Sequence, residues 1–559
     1  MTLPEISSEK ILNLFYSYLR IPSETGTVQE NAASEFVLGY LGGLPYFKAH
    51  PDRSGRWPLP DDPLGRGVVW ALVKGQGKRT AVLMHHLDVV GVEDFLRFKD
   101  RAFEPDALMQ ALQASPEILG REAKEDLMSG QWIFGRGSAD MKAGGAVQMA
   151  VVEAYSKLEG FEGNLLLLAV PDEENLSAGM RGALPLLDTL HERHGLDYAI
   201  MVNSEPHQRK IPDTGIFSGG SIGKIMPFFY ARGILAHAGK SAEGFNPLLL
   251  LSECIRRTEM NPGLADFCPV SRETAPPPTW LMARDGKTAY DVSMPLSAFG
   301  CLSLQPLNSP PSDILLKLKD LAVKSAETAV EIVNQGAAFY DERTGRIPGL
   351  KKWKAQVHLY SEWLEQMTAE HGKPFEAFYA DTLKGLHDRI RSGDMGYAAA
   401  TWMLMDTLFE YAGGKEPFLI IGIMPPFYPS VSYLDRPDFE KTVTDLYGVL
   451  KESARRHPGP AYDLEAYFTG ISDLSYTSVK PRDLPAMQKT LPREMPLYGG
   501  LYTIPFELMA GYAMPCINIG PWGKDFHKLS ERVLKADLTD HTPRLILCAL
   551  EHVLRHTQY

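Results

Sequence analysis

Four short apolar runs, "GVVWALVKG", "RTAVLMHHLDVV", "GNLLLLAVPDEE" and "DYAIMVNSEP", recur within the first 210 or so residues, each followed by polar residues. A continuous run of Val, Ile and Leu has no side to turn to water. Each therefore needs cover on both faces, which helices supply in a parallel sheet. Helical patterns lie beside these runs. "SSEKILNLFYSYLRI" opens on serines able to cap a helix and places Ile11, Leu12, Phe15 and Leu19 at helical spacing, and "AGGAVQMAVVEAYSKL" falls between the second and third runs. Strands alternating with helices predict an α/β fold with a mostly parallel central sheet flanked by helices. In such sheets ligands sit beyond the carboxyl ends of the strands, which is where the polar clusters of this sequence fall.

With 559 residues the chain is too long for one ordinary domain. From about residue 216 the texture changes to Gly-rich strand and turn segments, "GGSIGKIMPFFYARGILAHAGKSAEGFNP" and "TAYDVSMPLSAFGCLSLQPL", then a helix, "PPSDILLKLKDLAVKSAETAVEIVNQ". A small α+β domain is expected there. Residues of about 336–415, including "KKWKAQVHLYSEWLEQMTAEHG" and "MGYAAATWMLMDTLFEYAGG", are mostly helical in pattern and rich in aromatics, and "PFLIIGIMPPFYPS" reads as a strand leaving them. After about residue 436 the α/β texture returns, with "DFEKTVTDLYGVLKESARR" as helix and "MPCINIGPWGKDFH" as strand plus loop. The expected division is 1–213 and 434–559 as the two parts of one α/β domain, with 214–433 inserted between them. No internal repeat or low-complexity tract is visible.

The formal net charge of -12 and pI near 5.7 argue against a nucleic-acid or polybasic membrane surface. The start, "MTLPEISSEKILNLFYSYLR", is acidic where a signal peptide would be basic, and no stretch supplies the roughly 18 apolar residues of a membrane span. A cytoplasmic location is expected. Cys254, Cys268, Cys301, Cys516 and Cys548 are scattered and never paired as CxxC, so they read as reduced packing residues.

Four clusters carry chemistry. "HHLDVV" separates His86 from Asp88 by one residue, a spacing in which a carboxylate can anchor the second nitrogen of a metal-binding imidazole. "GRGSADMKAGGA" lacks the GKS/T ending and GxGxxG spacing of phosphate loops, and its Asp140 either caps a helix or offers two oxygens to a pair of adjacent cations. "VPDEENLSAGMRGAL" sets Glu173 beside Glu174. If Glu174 binds a metal, Glu173 is placed to take a proton from water that the cation acidifies, provided a turn brings both side chains to one site. "VNSEPH" gives Glu205, with His207 the weaker ligand candidate, and the distant "PCINIGPWGKDFHKLSE" gives His527. Each part has a bland reading as a turn, a cap or a loop. The ordered set of imidazoles and carboxylates suits Zn²⁺, with Mn²⁺ or Co²⁺ as alternatives.

The segments "LMHHLDVV", "GRGSADMKAGGAV", "VPDEENLSAGMRGAL", "NSEP", "RGILAHAGKSAEGFNP" and "PCINIGPWGKDFHKLSERV" closely resemble the di-zinc exopeptidase and amidohydrolase family that includes aminoacylase, glutamate carboxypeptidase, acetylornithine deacetylase and succinyl-diaminopimelate desuccinylase. Length and "FTGISDLSY" make the chain most similar to the long subgroup named after the arginine-utilisation protein RocB. The resemblance implies a zinc-exopeptidase-like catalytic domain and an inserted lid. It implies two zinc ions, one held by His86 and Glu205, the other by Glu174 and His527, with Asp140 bridging. Asp88 would orient His86, Glu173 would serve as general base and then acid, and His237 in "AHAG" would reach the oxyanion from the lid. The implied substrate is a short peptide, an N-acylated amino acid or a related small amide. A ureido or carbamoyl compound is the alternative, and a silent binding protein on the same fold is the alternative of another class.

Two departures from that pattern stand out. Many relatives carry a carboxylate-binding arginine at the end of a lid strand, where this chain has "LSLQPLNSPPSD", and neither Leu307 nor Asn308 can form a bidentate pair. The insertion of about 336–415 is also long enough to cover the lid surface relatives use for dimerisation, or to build a substrate pocket of its own, so a homodimer is not assumed.

Overall fold

The computed structural model describes residues 4–345, 351–412 and 414–555. The chain divides into two units, the first made of the chain up to Ile222 with Ser430–Lys480 and Pro505 onward, the second of Gly223–Pro429 with Pro481–Ile504.

In the first unit eight strands form one sheet, in the order Ser54–Pro58, Gly67–Lys74, Glu162–Val170, Gln76–His86, Asp197–Asn203, Cys516–Asn518, Thr214–Ser218 and Ala461–Glu465. The central pairings of Gln76–His86 with Glu162–Val170 and with Asp197–Asn203, and of Asp197–Asn203 with Cys516–Asn518, are parallel. Gln76–His86, Glu162–Val170 and Asp197–Asn203 are three of the four runs expected as buried strands. The fourth, Gly67–Lys74, joins antiparallel to Glu162–Val170. Register sets His85 against Ala169, His86 against Val170 and Met84 against Asn203. The three strands thus end level, and the residues after them emerge at one rim. The helices Ser8–Leu19, Lys142–Tyr155 and Thr542–Arg555 bury Phe15, Val147, Val151 and Ile546 in the same core as Leu83, Leu165 and Val202.

A smaller sheet joins distant parts of the chain. Trp132–Phe134 pairs antiparallel with Arg532–Leu534, matching Phe134 with Arg532 and Ile133 with Val533. This pairing fixes the segment leading to Asp140 beside the one that follows His527.

The second unit is built on a five-stranded sheet ordered Thr279–Asp285, Ser297–Ser303, Lys224–Arg232, Phe418–Tyr428 and Gln356–Leu359. The last pairing is parallel and the rest antiparallel. Within the stretch expected to be mostly helical, Gln356–Leu359 is a strand. Its backbone completes the edge of Phe418–Tyr428, and the helix Tyr360–His371 begins only after Glu362 has accepted the Leu359 N–H at 2.8 Å. The insertion's helices Tyr360–His371 and Tyr397–Ala412 pack on this sheet, and Lys373–Arg391 packs on those two helices. Trp402 stacks on Phe299 at 5.6 Å, and Phe409 stacks on Tyr230 at 5.4 Å and Trp363 at 4.8 Å. Pro481–Ile504 belongs here because Glu494 accepts from Ser361 Oγ at 2.5 Å and from the Ser361 N–H at 3.2 Å, at the start of an insertion helix.

Among the described residues no helix is long and apolar enough to cross a membrane, and the five cysteines are free thiols.

Candidate metal centre

The level strand ends bring His86, Glu174 and Glu205 to one place within the first unit, and the small sheet adds Asp140 and His527. Three overlapping groups have ligand atoms within 4.8 Å of one another: His86 with Glu173 and Glu174, His86 with Asp140 and Glu205, and Asp140 with Glu174 and His527. Asp140 lies at the middle. Its Oδ1 is 2.9 Å from His86 Nε2 and its Oδ2 is 3.3 Å from His527 Nε2. His86 Nε2 is also 3.5 Å from Glu205 Oε1, and His527 Nε2 is 3.0 Å from Glu174 Oε1.

Backbone geometry explains how neighbours share the site. The turn after Val170 has Asp172 at φ 70, and Asp88 receives the Glu173 N–H on Oδ1 and the Glu174 N–H on Oδ2, each at 3.1 Å. Asp88 reaches His86 through its carbonyl oxygen, 2.9 Å from Nδ1, while its carboxylate is 3.8 Å away. The single residue between His86 and Asp88 therefore does two things: the main chain anchors the imidazole and the side chain anchors the glutamate pair. Glu205 is held by close packing. A Cβ at Gly144 would lie 2.1 Å from the Ser204 carbonyl oxygen, and one at Gly520 would lie 1.9 Å from that of Glu205.

The electrostatics are those of carboxylates crowded together. Burial, then Asp140, pushes Glu205 up to about 8 and raises Glu174 as well. Burial also raises Glu173, with Asp473, Glu174 and Glu205 adding to it against His86. Burial opposes charge on the histidines, but Glu205 and Asp140 outweigh it at His86, and hydrogen bonds to Asp140 and Glu174 bring His527 up to about 11. Asp140 moves the other way despite its burial, because both imidazoles donate to it. A carboxylate between two imidazoles, ringed by three further carboxylates, is a donor set that fits two divalent cations.

His207 takes no part in these groups. It is buried, with Nδ1 on the Gly520 carbonyl at 2.8 Å and Nε2 accepting from Arg209, and burial lowers it to about 4. His237 lies in the second unit, where it is exposed and its Nδ1 accepts the Gly239 N–H at 3.0 Å. In the segment around Leu307 and Asn308, Asp266 Oδ2 accepts the N–H groups of Leu307, Asn308 and Ser309 at 2.7–2.9 Å.

Supporting residues that pattern reading missed surround the centre. Glu531 Oε1 accepts the Ala139 and Asp140 N–H groups at 3.1 and 3.2 Å, and its Oε2 pairs with buried Arg136 at 2.6 Å. Its signal was its place four residues after His527. Asp473, within "FTGISDLSY", accepts from Ser177 Oγ at 2.5 Å, and Ser472 accepts from Asn203 Nδ2 at 2.9 Å. That segment thus touches the turns leading from two of the strand ends.

Residues 116–542 match Peptidase family M20/M25/M40, and the chain belongs to that family, whose members are metal-dependent hydrolases of amide bonds. Over 557 residues it is 31% identical to YqjN of Bacillus subtilis (strain 168), covering 99% of this chain and 98% of that one. Within the family it fits the RocB subgroup: Protein RocB of the same organism is 29% identical over 563 residues, covering 98% of this chain and 95% of RocB. The di-peptidase Dug1p from Saccharomyces cerevisiae has the same fold, with a TM-score of 0.51 and 12% identity over 98% of this chain and 97% of that one.

Proposed function

We propose that this chain hydrolyses an amide bond of a short peptide or an N-acylated amino acid, using two divalent cations, zinc with manganese or cobalt as alternatives. Asp140 carries the reading, because each of its two oxygens faces a different histidine and each histidine faces a further carboxylate. His86 and Glu205 would hold one cation, Glu174 and His527 the other, and Asp140 both. When bound, such cations polarise the scissile carbonyl and acidify water.

The chain's own residues do the rest. Glu173 is held beside the ligands by its N–H bond to Asp88 and is buried, which makes its carboxylate an effective proton acceptor. It takes the proton of the attacking water and returns it to the leaving nitrogen. The family resemblance would make His237 the oxyanion donor. Because its Nδ1 accepts the Gly239 N–H, a neutral ring carries its proton on Nε2, the form that can donate.

The test is a panel of dipeptides and N-acyl amino acids offered to zinc- and manganese-loaded protein, wild type and Glu173→Gln. Hydrolysis by the wild type that falls about 10²- to 10⁴-fold in the variant, with metal content unchanged, is expected. Equal activity in the variant, or no hydrolysis by fully loaded wild type, would overturn the reading.

A further inference from the structure

The turn that carries Glu173 and Glu174 is gripped from behind by a buried ion cluster. Arg66 is 5% exposed, and its Nη1 donates to Glu30 Oε1 and to Asp172 Oδ1, both at 2.7 Å. Its Nη2 and Nε donate to Asp62 Oδ2 at 2.8 and 3.0 Å. Glu30 then closes the circuit, because its Oε2 accepts the Asp172 N–H at 2.9 Å. Asp172 gathers the turn itself: its carbonyl accepts the Ser177 N–H at 2.7 Å, and its Oδ2 accepts the Ala178 N–H at 3.1 Å.

We propose that Arg66 is a positioning residue of the metal centre, fixing the backbone at Asp172 from which Glu173 and Glu174 project. The inference rests on the metal-dependent reading above. Its effect is one-sided. His86 ends a strand, Glu205 follows one closely, and Asp140 is held by Glu531 and Arg136, whereas Glu174 projects from a turn held by Asp88 on one side and by the Arg66 cluster on the other. Without the guanidinium, the buried Glu30 and Asp172 side chains lose the donor they share, and the turn loses the link that ties its side chain to the cluster. Lysine cannot replace it, because a single ammonium lacks the planar fork that serves three carboxylates at once.

Zinc is titrated against a chromophoric chelator in wild type, Arg66→Lys and Arg66→Ala, each checked for folding by circular dichroism and thermal unfolding. Two tight sites are expected in the wild type. In the variants one site keeps its affinity and the other weakens about 10- to 100-fold, the usual effect of losing a residue that supports a ligand. Guanidinium chloride at millimolar concentration, but not sodium chloride at equal ionic strength, restores the weakened site in Arg66→Ala. Folded variants that keep both sites intact, or weaken both equally, would overturn the proposal. If Arg66→Ala does not fold, Arg66→Lys decides. Wild type without tight zinc would refute the metal reading itself, a result distinct from either, and this proposal with it.

Discussion

Gly144→Ala sets two effects of opposite sign against each other. Within the helix Lys142–Tyr155, exchanging glycine for alanine should gain about 0.8–1.0 kcal/mol from propensity alone. The new Cβ, however, would lie 2.1 Å from the Ser204 carbonyl oxygen, where ordinary contact begins at 3.4 Å, so helix and strand end must part by about 1.3 Å. The obstacle is backbone, and it is already pinned. Gln148, one turn further along the helix, donates to Met84 O at 2.7 Å and to Ser204 Oγ at 2.9 Å, tying the helix to two strands. Displacement therefore falls on Glu205 or, through the start of the helix, on Asp140, both members of one candidate ligand group. A shift of about 1 Å at a reacting site costs on the order of 10²-fold in rate. Zinc affinity by chelator competition should fall with it, while thermal unfolding registers a net loss in place of the propensity gain. Gly336→Ala, in the helix Pro311–Thr344 with nothing within 4 Å of the new Cβ, is the control and should be neutral or stabilising. Wild-type zinc affinity and activity in Gly144→Ala would refute the claim that close packing of this helix sets the position of Glu205.

Three further outcomes are expected. In the metal-free protein Glu205 lies near 8 and His527 near 11, so both hold protons at pH 7 that zinc must displace. Zinc uptake should therefore release protons and tighten as pH rises from about 6 towards 8, which calorimetry in buffers of different ionisation enthalpy reads; uptake without proton release would contradict it. Trp363→Ala removes a 1% exposed ring from the insertion's core and should destabilise the second unit by about 3–5 kcal/mol, while metal content, a property of the first unit, stays unchanged on elemental analysis. Asp266→Ala would free three N–H groups at the start of the helix Pro311–Thr344 and should cost about 1–3 kcal/mol, seen in urea unfolding.

The central strands of the first unit were legible because a sheet covered on both faces demands unbroken apolar runs such as Leu165–Val170, whereas its edge strands Ser54–Pro58 and Ala461–Glu465 carry no such run and went unread. The clusters after the central strands followed from where such strands end. The part that stayed hidden depends on contacts remote in sequence. Nothing local shows that "LGRGVV" contributes the guanidinium behind Glu173, or that Asp88 spends its carboxylate on two amides 85 and 86 residues away. Strand Thr279–Asp285 was invisible because it is a sheet edge whose side chains stay largely in solvent, leaving no apolar alternation to read. Gln356–Leu359 was absorbed into a helical pattern because four residues are too few to display a period of two against the long helix that follows. "FTGISDLSY" was distinctive as text, yet its use became visible only when Ser472 and Asp473 met Asn203 and Ser177.

The most direct test of the central claim is a crystal structure of the zinc-loaded protein with anomalous data at the zinc edge. The account predicts two peaks about 3.5–4 Å apart, the spacing usual for paired catalytic metals, flanking Asp140, one touching His86 and Glu205 and the other Glu174 and His527. A single peak, or peaks that leave Asp140 out of contact, would contradict it.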